Sequence, residues 1–146
     1  MGVDPRILRD RLRLLQDCVS DLRDLGSRGV EDPAASRHLQ RALERNAQLA
    51  VEACFDMASH VLARTAGAAP ATYAGYAEAL LEAGIIRESA AETLRGFASL
   101  RNTMVHAYPR VGLEELWDFA RSQLGFFREF AATIEAVIEQ EQQRGA

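Results

Sequence analysis

Lysine is missing from all 146 residues, and every one of the 17 basic side chains is arginine. Genomic coding bias accounts for that as readily as function does, so the absence alone points to no partner. Proline is scarce, with four residues, and ten glycines leave room for long uninterrupted elements; collagen-like and low-complexity classes are excluded. The two cysteines, Cys18 and Cys54, lie in apolar stretches without CxxC spacing or a histidine at ligand distance. They are expected to be buried free thiols, and no metal site is expected. No apolar run approaches the roughly 18 residues that span a bilayer. The first fifteen residues scatter arginine and aspartate through the stretch where a signal peptide would be apolar. The chain thus reads as a soluble, cytoplasmic protein with no membrane partner. A net charge of −4 argues against a coat of positive potential for non-specific nucleic-acid binding, and leaves a local basic site open.

What is present is helical punctuation and a core. Hydrophobic residues make up 48%, enough for one domain over residues 1–146. Asp4-Pro5 has the form of an N-cap followed by proline at the first helical position. Leu8, Leu12, Leu15, Val19 and Leu22 then recur at alternating four and three, and Gly26 and Gly29 end the helix. Asp32-Pro33 repeats the start signal for a long second helix with Leu39, Leu43, Ala47, Ala50, Cys54, Met57 and Val61 on one face, closed near residues 67–70. A shorter helix is predicted at about 72–83, carrying Tyr76 and Leu80 inward, and another from about 89 toward Val105. Pro109 stops the latter. A last helix begins near Gly112 and runs past Ile138. No segment alternates as a strand does. The fold class is all-α, an up-and-down bundle of four main helices plus one short helix. Leu49, Phe55, Phe119, Phe126 and Phe130 widen the apolar faces beyond one seam, which predicts that part of that surface meets a second subunit in a symmetric homodimer.

One segment, residues 100–109, breaks its own pattern: Leu-Arg-Asn-Thr-Met-Val-His-Ala-Tyr-Pro. With Arg101 at zero on a helical wheel of about 100° per residue, Leu94 and Val105 fall within about 40° and Phe97, Ala98 and Met104 within about 60°. An arginine therefore sits in the middle of an apolar face, where an unpartnered guanidinium costs several kcal/mol. Asn102 and His106 are one turn apart on one edge of that helix. Tyr108 follows, and the helix end before Pro109 lets it swing toward His106. A histidine titrating near neutrality moves protons, and an arginine grips a phosphate through paired donors. Those are the parts for driving a ribose 2′-OH onto the neighbouring phosphate. The plainer reading of the same residues is a histidine satisfying the last carbonyls of a helix.

Arg101-x4-His106-x-Tyr108, with Asn102 after the arginine, resembles the signature of the HEPN superfamily, and most closely its HepT branch, the toxin of HepT/MntA toxin–antitoxin modules. The stretches YAEALLEAGII and LRGFASLRNTMVHAY are similar to that family in order and spacing, and the helical pattern on both sides agrees. Ala107 departs from it, standing where an acidic or larger residue is common. The resemblance implies a metal-independent endoribonuclease, with no cofactor, whose two motifs face each other across a dimer cleft. Arg101 would hold the scissile phosphate, His106 would act as general base or acid, Asn102 would position the phosphate or the histidine, and the substrate would be RNA, tRNA among the candidates. It also implies a partner, an MntA-like nucleotidyltransferase antitoxin that transfers AMP to Tyr108, in a hetero-oligomer with the toxin. The alternative is a non-catalytic HEPN dimer that binds a nucleotide or a partner protein with the same four residues.

Other positions carry plainer expectations. Arg95, six residues before Arg101, is a weak candidate for contacting an RNA backbone. His38 and His60 read as surface histidines, and Trp117 as a core or dimer anchor. Tyr73 and Tyr76 read as core packing that can also line the groove. The arginines at 6, 9, 11 and 13, interleaved with Asp4, Asp10 and Asp17, read as a solvated face with ion pairs.

Overall fold

Asp4 opens the first helix as its pairing with Pro5 predicts. In the computed structural model, which describes residues 3–27, 33–64, 69–106 and 113–145, the Asp4 carboxylate accepts the Arg6 backbone N–H at 2.9 Å. Pro5 takes the first turn, where a missing N–H loses no bond. Helix α1 (Pro5–Gly26) buries the five leucine and valine positions of the predicted stripe together with Cys18. Helix α2 (Pro33–Leu62) is the long central element, and its Leu43, Ala47, Ala50, Cys54, Met57 and Val61 are fully shielded from solvent. Helix α3 (Tyr73–Glu82) is capped by Thr72, whose hydroxyl accepts the Gly75 N–H at 3.1 Å. It ends on Gly84 at φ +72°, and there the Gly84 and Ile85 N–H groups reach back to the Leu81 and Leu80 carbonyls. That paired closure needs a left-handed residue, which glycine supplies without a Cβ clash.

Helix α4 (Glu88–His106) follows, then α5 (Leu113–Ser122) and α6 (Leu124–Arg144). The described residues are all helix and connection, and all six helices contribute to one buried core. Helix α1 packs along α2 and also meets α5 and α6, while α3 packs on α4 and α2. An ion pair at 2.7 Å between Arg64 and Glu141 ties the end of α2 to the end of α6. At the other end, the last carbonyls of α1 are claimed by α5: Arg121 Nε donates to Gly26 O at 3.0 Å and Trp117 Nε1 to Leu25 O at 3.4 Å. A cation at a helix C-terminus is favourable for the helix dipole as well as for the orphan carbonyls. Gly26 permits this approach, since a Cβ there would stand 3.3 Å from the Ala120 Cβ.

Two expectations need correction. The last helix is not continuous: Gln123, at φ −99° and ψ −1°, bends the chain between α5 and α6. The apolar stripe runs unbroken through Ala120, Leu124 and Phe127, so periodicity gives no warning. The bend wraps the chain around Phe97, whose ring lies 5.5 Å from Phe119, 5.0 Å from Phe126 and 5.4 Å from Phe127. Nor do Phe55 and Phe130 offer surface to a second subunit, because they are 3% and 2% exposed within the one chain. Phe119, Phe126 and Leu49 are half-buried. Both cysteines are free and buried, as expected. No helix of the described residues is long and apolar enough to cross a membrane.

Candidate functional site

The inward face of α4 carries Ala91, Leu94 and Phe97 into the core, and one turn after Phe97 it carries Arg101. The guanidinium does not turn away to bulk solvent. Its Cζ lies 4.3 Å from the centre of the Tyr73 ring, stacked on the first turn of α3. An arginine over an aromatic face gains electrostatic attraction and keeps its planar fork in a fixed orientation. The inner N–H is the cost of this placement: Nε is buried and has no hydrogen-bond partner among the described residues. Leaving a buried donor unmade costs about 1–3 kcal/mol, and more when the group is charged. Arg101 also lines an open cleft of about 490 Å³.

Four helices build that cleft. Tyr73 and Tyr76 from α3 stand beside Phe55 of α2, with the Phe55 ring 4.9 Å from Tyr73 and 6.5 Å from Tyr76. Helix α2 adds Glu52, Asp56 and Ser59, which fall on one face at spacings of four and three, and α1 adds Arg11. Arg11 Nε donates to Asp56 Oδ2 across the α1–α2 seam. The other Asp56 oxygen lies 3.7 Å from His60 Nε2. Glu52 accepts the Gln48 side-chain amide at 3.2 Å on Oε1. Two cations and two carboxylates thus meet an aromatic wall. Among the described residues, no three histidine, cysteine or acidic side chains stand together as a metal site would require.

Asn102 is exposed and sits next to Arg101 on α4. The helix persists to His106, which places that residue one turn after Asn102 on the same edge of the backbone. Tyr108 lies outside the described residues, as does the expected turn at Pro109. Arg95 is engaged between two carboxylates: Nε and Nη1 donate to Glu78 and Glu88, the latter at 2.8 Å. These bonds, that to Glu78 foremost, raise the arginine's pKa, and they hold the Glu78 carboxyl below its ordinary value. The bond to Glu78 also ties α3 to α4, a little under two turns before Arg101. Tyr73 and Tyr76 line the cleft as well as flanking the core.

Arg11, Glu52 and Asp56 were not singled out as site residues by sequence. Arg11 belonged to a run of alternating charges that reads as solvated, and the acids on α2 carry no motif. One faint signal existed. Arg11 is three residues after Leu8 and four before Leu15, so it borders the buried stripe.

Comparison with known proteins agrees with this architecture. Residues 15–134 match the family model described as Ribonuclease HepT-like. A tri-AMPylated HEPN toxin from Shewanella oneidensis, solved in complex with an MNT antitoxin, superposes with a TM-score of 0.77 at 23% identity, covering 89% of this chain and 97% of that one. A toxin–antitoxin complex crystallised with AMP-PNP gives 0.75 at 22% identity, over 88% and 97%. A cytosolic protein of unknown function from Bacillus subtilis, YutE, gives 0.81 at 19% identity, over 97% and 95%. At these identities the structures speak for the fold. No curated protein sequence matches significantly. The family model spans most of the chain, including Arg101, Asn102, His106 and Tyr108, and the chain belongs to the HepT-like ribonuclease family.

Proposed function

We propose that this chain is the toxin of a toxin–antitoxin module, an endoribonuclease that cleaves RNA without a metal ion through Arg101, Asn102 and His106. The observation that carries this reading is Arg101 itself. A guanidinium held on Tyr73 at the edge of an open cleft, with a buried Nε that has no partner among the described residues, is a poor structural element and a good phosphate clamp. In the reaction, the ribose 2′-oxygen attacks the adjacent phosphorus as a general base takes its proton. The bond from phosphorus to the 5′-oxygen breaks, and a general acid protonates that leaving oxygen. The products are a 2′,3′-cyclic phosphate and a free 5′-hydroxyl. Arg101 stabilises the negative charge that builds on the phosphoryl oxygens. His106 transfers the protons, and Asn102 positions the phosphate or the imidazole.

Arg101 and His106 leave α4 about 140° apart. A substrate across the end of one helix meets them from different sides, and a symmetric homodimer would supply two such ends and a second histidine. RNA is the substrate in this reading, and Arg95 contributes weakly to holding its backbone. The likeness to a tri-AMPylated HEPN toxin solved with an MNT antitoxin supports a nucleotidyltransferase partner that transfers AMP to Tyr108. Added phosphate would compete with RNA for the donors of Arg101 and His106.

A non-catalytic nucleotide- or partner-binding module is the second reading. It is favoured by the net charge of −4 and by the two carboxylates that already occupy Arg95. Cleavage of total RNA and tRNA in excess chelator, comparing the parent with His106→Ala and recording the intact mass of each, separates the two. Parent-only cleavage is expected. An unmodified parent that cleaves nothing, and binds AMP or ATP instead, would favour the second reading.

A further inference from the structure

The aromatic cleft in front of Arg101 is larger and more polar than phosphate binding requires. Its volume of about 490 Å³ lies within the roughly 300–1,000 Å³ of small-molecule sites, which combine apolar walls with a few placed polar groups. We infer that this cleft is a nucleobase pocket, in which a base next to the scissile phosphate stacks on Tyr76 and turns an amino group toward Glu52, so that the enzyme prefers adenine, cytosine or guanine over uracil there. The inference rests on the ribonuclease reading and specifies its substrate.

Each wall has a distinct part. Tyr73 is already covered on one face by Arg101 and tilts against Phe55 at 4.9 Å, so it orients the guanidinium rather than receiving a base. Tyr76 is different. It is half-buried, its nearest rings among the described residues are 6.5 Å away and tilted, and it lines the open cleft. That is the geometry of a stacking platform, which accepts any base by its π-face.

Selection then comes from the carboxylates. Asp56 is engaged by Arg11, whereas Glu52 is claimed by no arginine among the described residues and uses Oε1 for the Gln48 amide. Glu52 lines the cleft, and its second oxygen accepts no hydrogen bond among the described residues. A carboxylate attracts the amino edges of adenine, cytosine and guanine. Uracil offers a single N–H between two carbonyl acceptors, which a carboxylate repels.

The test has two arms. In the first, single-scissile-site RNA oligonucleotides with each of the four bases on either side of the cut are incubated with parent, Glu52→Gln, Tyr76→Ala and Tyr76→Phe. The parent is expected to disfavour uracil at one flanking position by about tenfold, as loss of a hydrogen bond to a charged group implies. Glu52→Gln should narrow that ratio, because an amide can also donate to a uracil carbonyl. Tyr76→Ala should lower cleavage about five- to a hundredfold, mainly by raising KM, and Tyr76→Phe should restore it. In the second arm, AMP, CMP, GMP and UMP are titrated against His106→Ala by calorimetry. Tighter binding of the three amino-bearing nucleotides, weakened by Tyr76→Ala, is expected.

If the parent cleaves RNA with no base preference that Glu52→Gln alters, the pocket is refuted and the ribonuclease reading stands. If a parent of unmodified mass cleaves no RNA, that reading fails and the nucleotide titration alone decides the pocket. Equal or undetectable binding of all four nucleotides would then overturn it.

Discussion

Helix α4 presents aromatic surroundings twice on the same inward face, one turn apart, and they are used in opposite ways. Around Phe97 the rings of Phe119, Phe126 and Phe127 close at 5.0–5.5 Å from α5 and α6. Phe97 is 3% exposed and the cluster holds no polar atom that needs a partner. Around Arg101 the rings of Tyr73 and Tyr76, backed by the buried Phe55, line an open cleft, and a cation whose Nε has no partner among the described residues replaces the central ring. The first arrangement is what stability selects. The second keeps a charged fork preorganised at some cost in stability, which is the usual relation between a functional site and the scaffold that carries it.

Substitutions that exchange the two regions' behaviour would break this comparison. The largest expected effect is on the open side: His106→Ala should reduce RNA cleavage by about 10²–10⁴-fold, the range of lost acid–base catalysis, with an unchanged melting temperature. Cleavage assays paired with thermal melts would show it. Phe97→Ala should have the reverse profile and lower stability by about 3–5 kcal/mol, because a ring packed on three others leaves a cavity. Tyr76→Ala should cost less than about half as much in urea unfolding, since its ring is only half-buried. Equal losses for Phe97→Ala and Tyr76→Ala would show that the cleft wall is ordinary core.

A smaller effect concerns the shielded thiols between α1 and α2. Burial, with Asp21 and Asp17 nearby, pushes the Cys18 thiol up to about 11 from an ordinary 9.0, and burial pushes Cys54 up as well. Unfolded thiols ionise near pH 9 while the folded ones keep their protons, so the unfolded state binds fewer protons above that pH. The thiols' contribution to stability is therefore complete below pH 9 and declines as the pH rises toward 11. Melts at pH 7, 9 and 10.5 should fall in that order, and Cys18→Ala should flatten the decline. Neither thiol should react quickly with a disulfide reagent at pH 7 in the native protein.

Much of this was legible in the chain because local rules and tertiary structure agree. Asp4-Pro5 caps the helix it should, the third helix starts within a residue of its expected position, and the leucine stripe of α1 is the buried one. Arg101 stood out because a charge interrupted an apolar face, and packing confirmed the interruption. The bend at Gln123 was invisible since apolar periodicity continues across it. Arg11, Glu52 and Asp56 were invisible for another reason. Arg11 lies in a run of charges that reads as solvated, the acids of α2 carry no motif, and only the packing of α1 and α2 beside α3 gathers them before Arg101. Phe55 and Phe130 widened their helices' apolar faces, and a wheel cannot tell whether such a face meets a second subunit or another helix of the same chain.

The claim that Arg101 is retained for chemistry against stability is tested most directly by Arg101→Met, with thermal unfolding and RNA cleavage measured on the same preparation. Methionine keeps contact with the Tyr73 ring and removes the unmet Nε. The expected result is a melting temperature equal to the parent or up to about 4 °C higher, the shift for about 1 kcal/mol in a chain of this size, with cleavage lost. A melting temperature more than about 4 °C lower, with cleavage retained, would make Arg101 a structural residue and contradict the role assigned to it.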